Sequence, residues 1–193
     1  KAAVYEDRIE LVWTPAAASE GAGGPQIAGY NVYRSEGDLP PLRLKTVPAG
    51  SPEFRDPDFS FGKVYVYFVR SAAAGTLVSV ESRNSEPARA EPVDVFPPAA
   101  PRGLTTISGE GFIALSWEPA AETDLAGYKV WRRAAGGAEF VLLKEMSPAE
   151  SAYTDAAVAG AGPYAYAVTA FDRSGNESGR SAEAAGRARR SPS

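Results

Sequence analysis

The stretch Ile113-Ala114-Leu115-Ser116-Trp117-Glu118-Pro119 carries the clearest strand pattern in the chain, and Gly127-Tyr128-Lys129-Val130-Trp131-Arg132 follows it closely. Apolar residues alternate at Ile113, Leu115 and Trp117, so they share one face of an extended strand. Pro119 lacks a backbone N–H and therefore ends that strand. The same alternation places Tyr128 and Val130 on one side of the second strand. The pattern predicts two paired β-strands packed around a large buried aromatic side chain.

Both strands recur in the first half of the chain. Ile9, Leu11 and Trp13 repeat the first alternation, and Gly29-Tyr30-Asn31-Val32-Tyr33-Arg34 repeats the second strand. The spacing between equivalent residues is nearly constant, with 98 residues from Tyr30 to Tyr128 and 99 from Asp56 to Asp155. A repeat of this length indicates two copies of one domain rather than a solenoid.

Three prolines, Pro97, Pro98 and Pro101, indicate a short extended connector between the copies. We expect a first domain over residues 1–96, a second over residues 97–187, and a basic tail at 188–193. The first strand of the first domain is expected to be truncated, because the counterpart of Pro98-x-x-Pro101-x-x-Leu104 would lie before Lys1. In each copy, turn signals separate about seven short strands without helical periodicity, which predicts an antiparallel β-sandwich.

Composition limits the function classes. With 44% hydrophobic residues among 193, the chain has enough apolar side chains for packed cores. A net charge of -4 without a basic half argues against binding to nucleic acid. There are no cysteines, so disulfides and thiolate sites are excluded. The sequence lacks a run of about 18 apolar residues, so we expect no membrane span.

The motifs of both copies resemble those of fibronectin type III domains. In the second copy the resemblance rests on Leu115-Ser116-Trp117, Gly127-Tyr128-Lys129-Val130 and Tyr164-Ala165-Tyr166-Ala167-Val168; in the first it rests on Leu11-Val12-Trp13, Gly29-Tyr30-Asn31-Val32 and Tyr65-Val66-Tyr67-Phe68-Val69. It implies an all-β chain of two tandem seven-stranded immunoglobulin-like sandwiches, with strands A, B and E facing C, C′, F and G. It also implies that Trp13 and Trp117 are core residues. Tyr65 and Tyr164 would be tyrosine corners, whose hydroxyls bond to backbone just upstream.

Two motifs resemble those of bacterial versions of this domain, Asp124 to Val130 and Phe171 to Ser178. The use of 15 Arg against 5 Lys, with many Ala and Gly, is compatible with a GC-rich genome. Bacterial domains of this family are mostly exported. The resemblance therefore implies an extracellular or periplasmic location, with lipid anchoring through a segment absent from these residues as one route.

Catalysis is not expected. The chain has no His and no Cys, so it lacks the usual general base and the thiol nucleophile. Glu118, Glu122 and Asp124 could in principle supply paired carboxylates for glycoside cleavage, but they lie on one loop. Glu122, Asp124 and Asp155 could in principle hold calcium, whereas turn capping explains both aspartates more simply. We expect no enzyme activity, no cofactor and no metal.

Two functions from different classes remain. The first is a structural module that spaces or presents other domains at the cell surface. The second is a module that binds an unidentified protein or glycan of the cell envelope through exposed aromatic side chains. Alternation places Tyr33 and Phe68 on the outer face of the first domain, and Trp131 and Phe171 on that of the second. In the alternative arrangement, Arg and Lys side chains and the edge strand cover these rings.

Overall fold

The computed structural model describes residues 1–16, 26–73, 80–134, 136–158 and 162–189. All regular structure in these ranges is β-strand, and the chain divides into two compact units, Lys1–Asp94 and Val95–Ser193, called domain 1 and domain 2 below. The described ranges contain no helix of the length and apolarity needed to cross a bilayer.

Each domain has seven strands among its described residues. In domain 1 they are β1 (Ala2–Val4), β2 (Ile9–Val12), β3 (Ile27–Glu36), β4 (Leu42–Pro48), β5 (Glu53–Asp56), β6 (Tyr65–Ala73) and β7 (Ala88–Ala90). In domain 2 they are β8 (Thr105–Ser108), β9 (Ile113–Ser116), β10 (Leu125–Ala134), β11 (Val141–Met146), β12 (Ala152–Asp155), β13 (Tyr164–Asp172) and β14 (Ala184–Gly186).

The strands form a three-stranded and a four-stranded antiparallel sheet in each domain. The orders are β1-β2-β5 and β4-β3-β6-β7 in domain 1, and β8-β9-β12 and β11-β10-β13-β14 in domain 2. These are strands A, B and E in one sheet and C′, C, F and G in the other. The predicted pair of seven-stranded sandwiches is confirmed.

The alternating apolar residues form a separate core in each domain. Ile9 and Ile113 are fully buried at equivalent positions of β2 and β9. The Trp117 ring meets the Tyr128 ring edge to face at a centroid distance of 5.4 Å, and the Trp13 and Tyr30 rings repeat this contact at 5.5 Å. Such contacts add to the stabilisation from burial of the rings.

A glycine lets the edge strand approach closely in both domains. A Cβ atom on Gly127 would lie 2.1 Å from the Met146 carbonyl oxygen, and one on Gly29 would lie 2.4 Å from that of Val47. Because these distances are below any contact that a real Cβ makes, only glycine permits the observed spacing between β10 and β11, or between β3 and β4.

One of the two expected tyrosine corners lies within the described residues. The Ser60 backbone N–H donates to the Tyr65 hydroxyl at 2.9 Å, five residues upstream. By the repeat spacing, the equivalent partner of Tyr164 is residue 159, which lies outside the described residues.

Residues near both limits of the described ranges contact neighbouring strands. In domain 1, Ala2 pairs with Leu11, and the α-amino nitrogen of Lys1 donates to the Val12 carbonyl at 2.7 Å. In domain 2, the Arg189 N–H donates to the Gly109 carbonyl at 2.8 Å, although Arg189 was expected to belong to the basic tail. Residues 190–193 of that tail lie outside the described residues.

Candidate functional site: the outer faces of the four-stranded sheets

The four-stranded sheet of each domain turns one side toward the core and the other away from it. Tyr33 and Phe68 are direct cross-strand partners between β3 and β6. Their rings stack with a centroid distance of 5.1 Å and an interplanar angle of 10°. The alternation of residues along the two strands therefore correctly predicted that Tyr33 and Phe68 are neighbours on one side of the sheet.

Arg70 and Glu81 cover this ring pair. The Arg70 guanidinium carbon lies 4.7 Å from the Tyr33 ring centroid and 5.6 Å from that of Phe68. Arg70 also donates to the Glu81 carboxylate at 2.9 Å, and the Tyr33 hydroxyl donates to the same carboxylate at 2.8 Å. Phe68 retains only 9% exposure, so the expectation of an exposed aromatic does not hold at this position.

Asn31 lies beneath the same carboxylate. Its amide donates to Glu81, and its carbonyl oxygen accepts from the Thr46 hydroxyl at 2.5 Å. Asn31 is only 2% exposed, although it is on the outer side of the sheet. Arg70, Glu81, Tyr33, Asn31 and Phe68, called the domain 1 face below, thus form a closed network of hydrogen bonds and ring contacts.

The network shifts the ionisation of two of its members. Hydrogen bonding from Arg70 holds the pKa of Glu81 below its ordinary value, against the opposing effect of burial, and Tyr33 and Asn31 add to the lowering. Burial raises the pKa of the Tyr33 hydroxyl, and its hydrogen bond to Glu81 raises it further. Glu81 therefore stays ionised and Tyr33 stays neutral near neutral pH.

The corresponding surface of domain 2 is arranged differently. The Trp131 indole N–H donates to the Thr169 hydroxyl at 3.0 Å, and Thr169 donates to the Glu177 carboxylate at 2.6 Å. Lys129 pairs with Glu177 at 2.7 Å and lies 5.3 Å from the Phe171 ring centroid. Burial raises the pKa of Glu177, but the hydrogen bonds from Lys129 and Thr169 outweigh it and leave a lowered value.

The two aromatic rings of this domain 2 face do not meet. Trp131 pairs with Ala167 and Gly127 pairs with Phe171, so the rings lie four residues apart along β13. That separation is about 14 Å along a strand. Both side chains are half-buried, and the Arg180 guanidinium lies 5.5 Å from the Trp131 ring centroid.

Sequence reasoning missed one repeated cluster. Arg132 and the Tyr166 hydroxyl both donate to one oxygen of Asp155, at 2.8 and 2.9 Å, while the Ala157 N–H donates to the other oxygen at 3.0 Å. Only the bond from the Ala157 N–H, which caps the turn, was expected from the sequence. The nearly constant spacing of the Arg, Asp and Tyr residues in the two copies could have indicated the cluster.

Domain 1 repeats this cluster with Arg34, Asp56 and Tyr67. Arg34 and the Tyr67 hydroxyl each donate to Asp56 at 2.7 Å, and Asp58 N–H caps the second oxygen at 3.1 Å. Burial, followed by the hydrogen bond to Asp56, raises the pKa of Tyr67 far above its ordinary value. These buried groups are all paired, which is the pattern of a structural cluster rather than of a reactive site.

The acidic residues considered for catalysis or calcium binding have different surroundings and hydrogen-bond partners. Asp155 is occupied by its arginine and tyrosine partners. Glu122 accepts a hydrogen bond from the Ala99 N–H at 3.1 Å, and Asp124 is exposed. Glu118 and Glu122 line an open concavity of about 470 Å³ together with Arg102, two prolines and four alanines.

Comparison with known proteins gives relatives for the sequence and for the fold. No protein-family model matches the chain. It is 30% identical over 185 residues to Exoglucanase B of Cellulomonas fimi, covering 90% of this chain but 15% of that protein. It is 35% identical over 92 residues to the Amylopullulanase of Thermoanaerobacterium thermosulfurigenes, covering 47% of this chain and 5% of that protein. The chain thus spans a small part of each relative.

Among solved structures, a two-domain fibronectin type III segment of chicken tenascin superposes on the chain with a TM-score of 0.58. It is 15% identical and is matched over 96% of this chain and 95% of its own length. At this identity the likeness concerns the fold, and it agrees with the strand order described above. The chain consists of two tandem domains of the fibronectin type III fold.

Proposed function

We propose that the chain is a non-catalytic module of an exported bacterial protein, and that it spaces or presents neighbouring domains. The observation that carries this proposal is the alignment of 90% of the chain with only 15% of Exoglucanase B. A segment so small beside the whole relative fits an accessory part of a much larger enzyme. The fold itself is compatible with many roles, so it does not distinguish among them.

The outer face of the four-stranded sheet in domain 1 supports a structural role. In domain 1 the aromatic pair lies under Arg70, and the charged groups of the face satisfy one another. A surface closed in this way offers few unpaired groups to a partner. A spacing module needs stable domains more than it needs an open binding surface.

An extracellular location fits the names of the relatives. An exoglucanase and an amylopullulanase are named for polymeric glucans, which are too large to cross a membrane by diffusion. We infer that this chain also functions outside the cytoplasm, at or beyond the cell surface. Attachment through a lipid anchor would need a segment outside these 193 residues.

A second candidate function is binding of a protein or glycan by the domain 2 face. The half-buried Trp131 and Phe171 rings favour this surface over the domain 1 face, where Phe68 is 9% exposed. Aromatic rings flanked by Lys129 and Arg180 could stack on sugar rings or contact a protein. The two rings lie four residues apart along β13, so this face would bind more weakly than a concave pocket that encloses its ligand.

One pair of assays tests both functions. The purified chain is mixed with insoluble cellulose or starch, the solid is pelleted, and reducing sugar is measured in the supernatant. A spacing module remains in solution and releases no sugar. Retention in the pellet that disappears in the Trp131→Ser, Phe171→Ser double variant, but not in Tyr33→Ser, would establish the binding function instead. Sugar release by the chain would contradict a non-catalytic role.

A further inference from the structure

The Arg180 side chain of the domain 2 face lies against two aromatic rings. Its guanidinium carbon is 5.5 Å from the Trp131 ring centroid and 4.8 Å from that of Phe140, which directly precedes β11. Contact with ring faces orients the planar guanidinium and leaves its N–H edge available for hydrogen bonds. The side chain thus reaches from the connection between β13 and β14 across the sheet to its outermost strand.

The charge of Arg180 has no bonded acceptor, unlike the charges of its neighbours. Lys129 pairs with Glu177 and Arg133 pairs with Glu183, each at 2.7 Å. The Arg180 charge contributes to the lowered pKa of Glu177, but the Glu177 oxygens accept from Lys129 and a threonine. Within the residues that the structure describes, nothing accepts a hydrogen bond from the exposed Arg180 guanidinium.

Domain 1 has no free cation at the equivalent position. Ser85 and Ser181 each accept a hydrogen bond from the backbone N–H of the neighbouring long strand, at 3.1 and 3.0 Å, so these serines correspond. The residues before them are Asn84 and Arg180. Asn84 accepts from Arg70 at 2.8 Å and so belongs to the closed surface of domain 1.

The edge strand beside Arg180 also differs between the domains. β4 and β11 are the outermost strands of the four-stranded sheets, each with one neighbour among the described residues. Tyr33 pairs with Arg43 on β4, whereas Trp131 pairs with Leu142 on β11. Leu142 is 40% exposed. β4 follows directly after a proline and β11 follows Phe140, so β11 lacks two features that protect an edge from pairing with another chain.

We propose that the free edge of β11 binds an extended peptide that carries one acidic residue, and that Arg180 binds the carboxylate of that residue. The peptide backbone pairs with β11, and an apolar side chain two residues from the acidic one contacts Leu142. Both side chains lie on the domain 2 face, because residues two apart in a strand share a face. Strand addition takes affinity from main-chain hydrogen bonds and specificity from side chains. The site rests on the second candidate function and narrows its ligand to an acidic peptide.

A single carboxylate fits this surface better than a polymer charged on every unit. The cations next to Arg180 are paired with carboxylates of Glu145, Glu177 and Glu183. These three groups would repel a uniformly anionic glycan, because like charges brought together across an interface are costly. The backbone groups along the edge of β11 match the regular donors and acceptors of a peptide strand.

The full chain is titrated with short capped peptides that alternate valine and threonine and carry one glutamate. The position of the glutamate varies across the panel to sample the possible registers, and a matched panel has glutamine instead. Arg180→Asn gives domain 2 the residue that domain 1 has at this position, and a thermal unfolding scan verifies its fold. Arg173→Gln removes another exposed arginine of domain 2 and is the control.

We expect a glutamate peptide to bind the wild type and to slow amide exchange in β11, but not in β4, as measured by NMR. Affinity should fall at least about tenfold for the matching glutamine peptide and for Arg180→Asn, since each removes a hydrogen bond between charged groups. Arg173→Gln should bind like the wild type. Equal affinity of the glutamate and glutamine peptides, binding that leaves β11 exchange unchanged, or no binding by any peptide would overturn the proposal. So would protection of β11 by self-association without peptide.

The pelleting assay with insoluble cellulose or starch separates this site from the second candidate function. Retention on the solid that depends on Trp131 and Phe171, without binding of any peptide, would overturn the peptide site and leave glycan binding in place. Failure of both assays would contradict binding by the domain 2 face altogether.

Discussion

The buried Asp155 carboxylate accepts hydrogen bonds from two side chains, Arg132 and Tyr166, and from the Ala157 N–H, so its replacement is expected to be costly. Replacing it with alanine leaves the mostly buried Arg132 without its charge partner and the Tyr166 hydroxyl without an acceptor. Removal of one member of a buried ion pair costs about 3–5 kcal/mol of unfolding free energy. Urea unfolding of Asp155→Ala should show a loss of that size, a large part of the stability of a typical domain.

A matched control comes from the Arg133–Glu183 pair of the same domain. Its Glu183 side chain is 48% exposed, so Glu183→Gln should change the unfolding free energy by less than about 1 kcal/mol. Equal losses for the two variants would show that burial does not set the importance of the Asp155 cluster.

Glu81 should make domain 1 sensitive to acid. Its pKa is lowered from the ordinary 4.5 by Arg70 and its other donors, so the unfolded chain binds the proton more readily than the folded one. The stabilisation is therefore fully present above pH 4.5 and is lost as the pH falls through the lower folded pKa. Urea unfolding should find the wild type more stable than Glu81→Gln at pH 7, with the difference shrinking toward pH 3.

Glu53→Gln serves as the comparison variant for Glu81→Gln, because Glu53 is an exposed glutamate on β5 of the same domain. A wild-type advantage over Glu81→Gln that stays constant from pH 7 to pH 3 would show that the Glu81 network does not depend on ionisation.

For single residues, the sequence pattern predicted which side of a strand each side chain is on, but not which other side chains cover it. Alternation correctly paired Tyr33 with Phe68. It could not show that Glu81, 48 residues after Tyr33, returns over the sheet to close the face. For Asp155, only the turn bond to Ala157 is local in sequence, so the bonds to Arg132 and Tyr166 required the folded structure.

The contact between β10 and β11 depends on the absence of a side chain at Gly127. An alanine there would place its Cβ 2.1 Å from the Met146 carbonyl oxygen, which forces the edge strand outward. Overpacking of this kind costs about 1–3 kcal/mol. Chemical unfolding of Gly127→Ala should show that loss, and amide exchange in β11 should become faster.

Gly179 offers a control, because a Cβ added there meets nothing within 4 Å. Gly179→Ala should leave both measurements close to wild type. If Gly127→Ala is as stable as Gly179→Ala, the close approach of the two strands is not a constraint on the sheet.

Strands with clear alternation were the predictable elements. Val32 and Val130, like Ile9 and Ile113, are buried where the pattern of two placed them. The short pieces β1 and β7 have three residues each, too few for alternation to distinguish a strand from a loop. Their pairing partners, β2 and β6, define them instead.

On the scale of the whole molecule, the internal repeat was the strongest indication of the domain organisation and fold class. Two copies with nearly constant spacing, and without helical periodicity, were sufficient for the fold class. Function did not follow in the same way, because fibronectin type III folds serve many roles and the chain has no His or Cys to indicate chemistry. Two relatives are named as an exoglucanase and an amylopullulanase, and the chain matches only 15% and 5% of their lengths, so its own role remains a proposal.

A spacing module requires domains that keep their folds independently. Each domain here has its own core cluster, one around Trp13 and Tyr30 and the other around Trp117 and Tyr128. Domains with separate cores are expected to fold alone.

The most direct measurement compares the ¹H–¹⁵N NMR spectrum of the full chain with the spectra of residues 1–94 and 95–193 produced separately. We expect amide signals from core strands, including Ile9 in β2 and Tyr166 in β13, to superpose on those of the full chain. Loss of signal dispersion in either separate unit, as in an unfolded chain, would contradict the claim of two self-contained sandwiches.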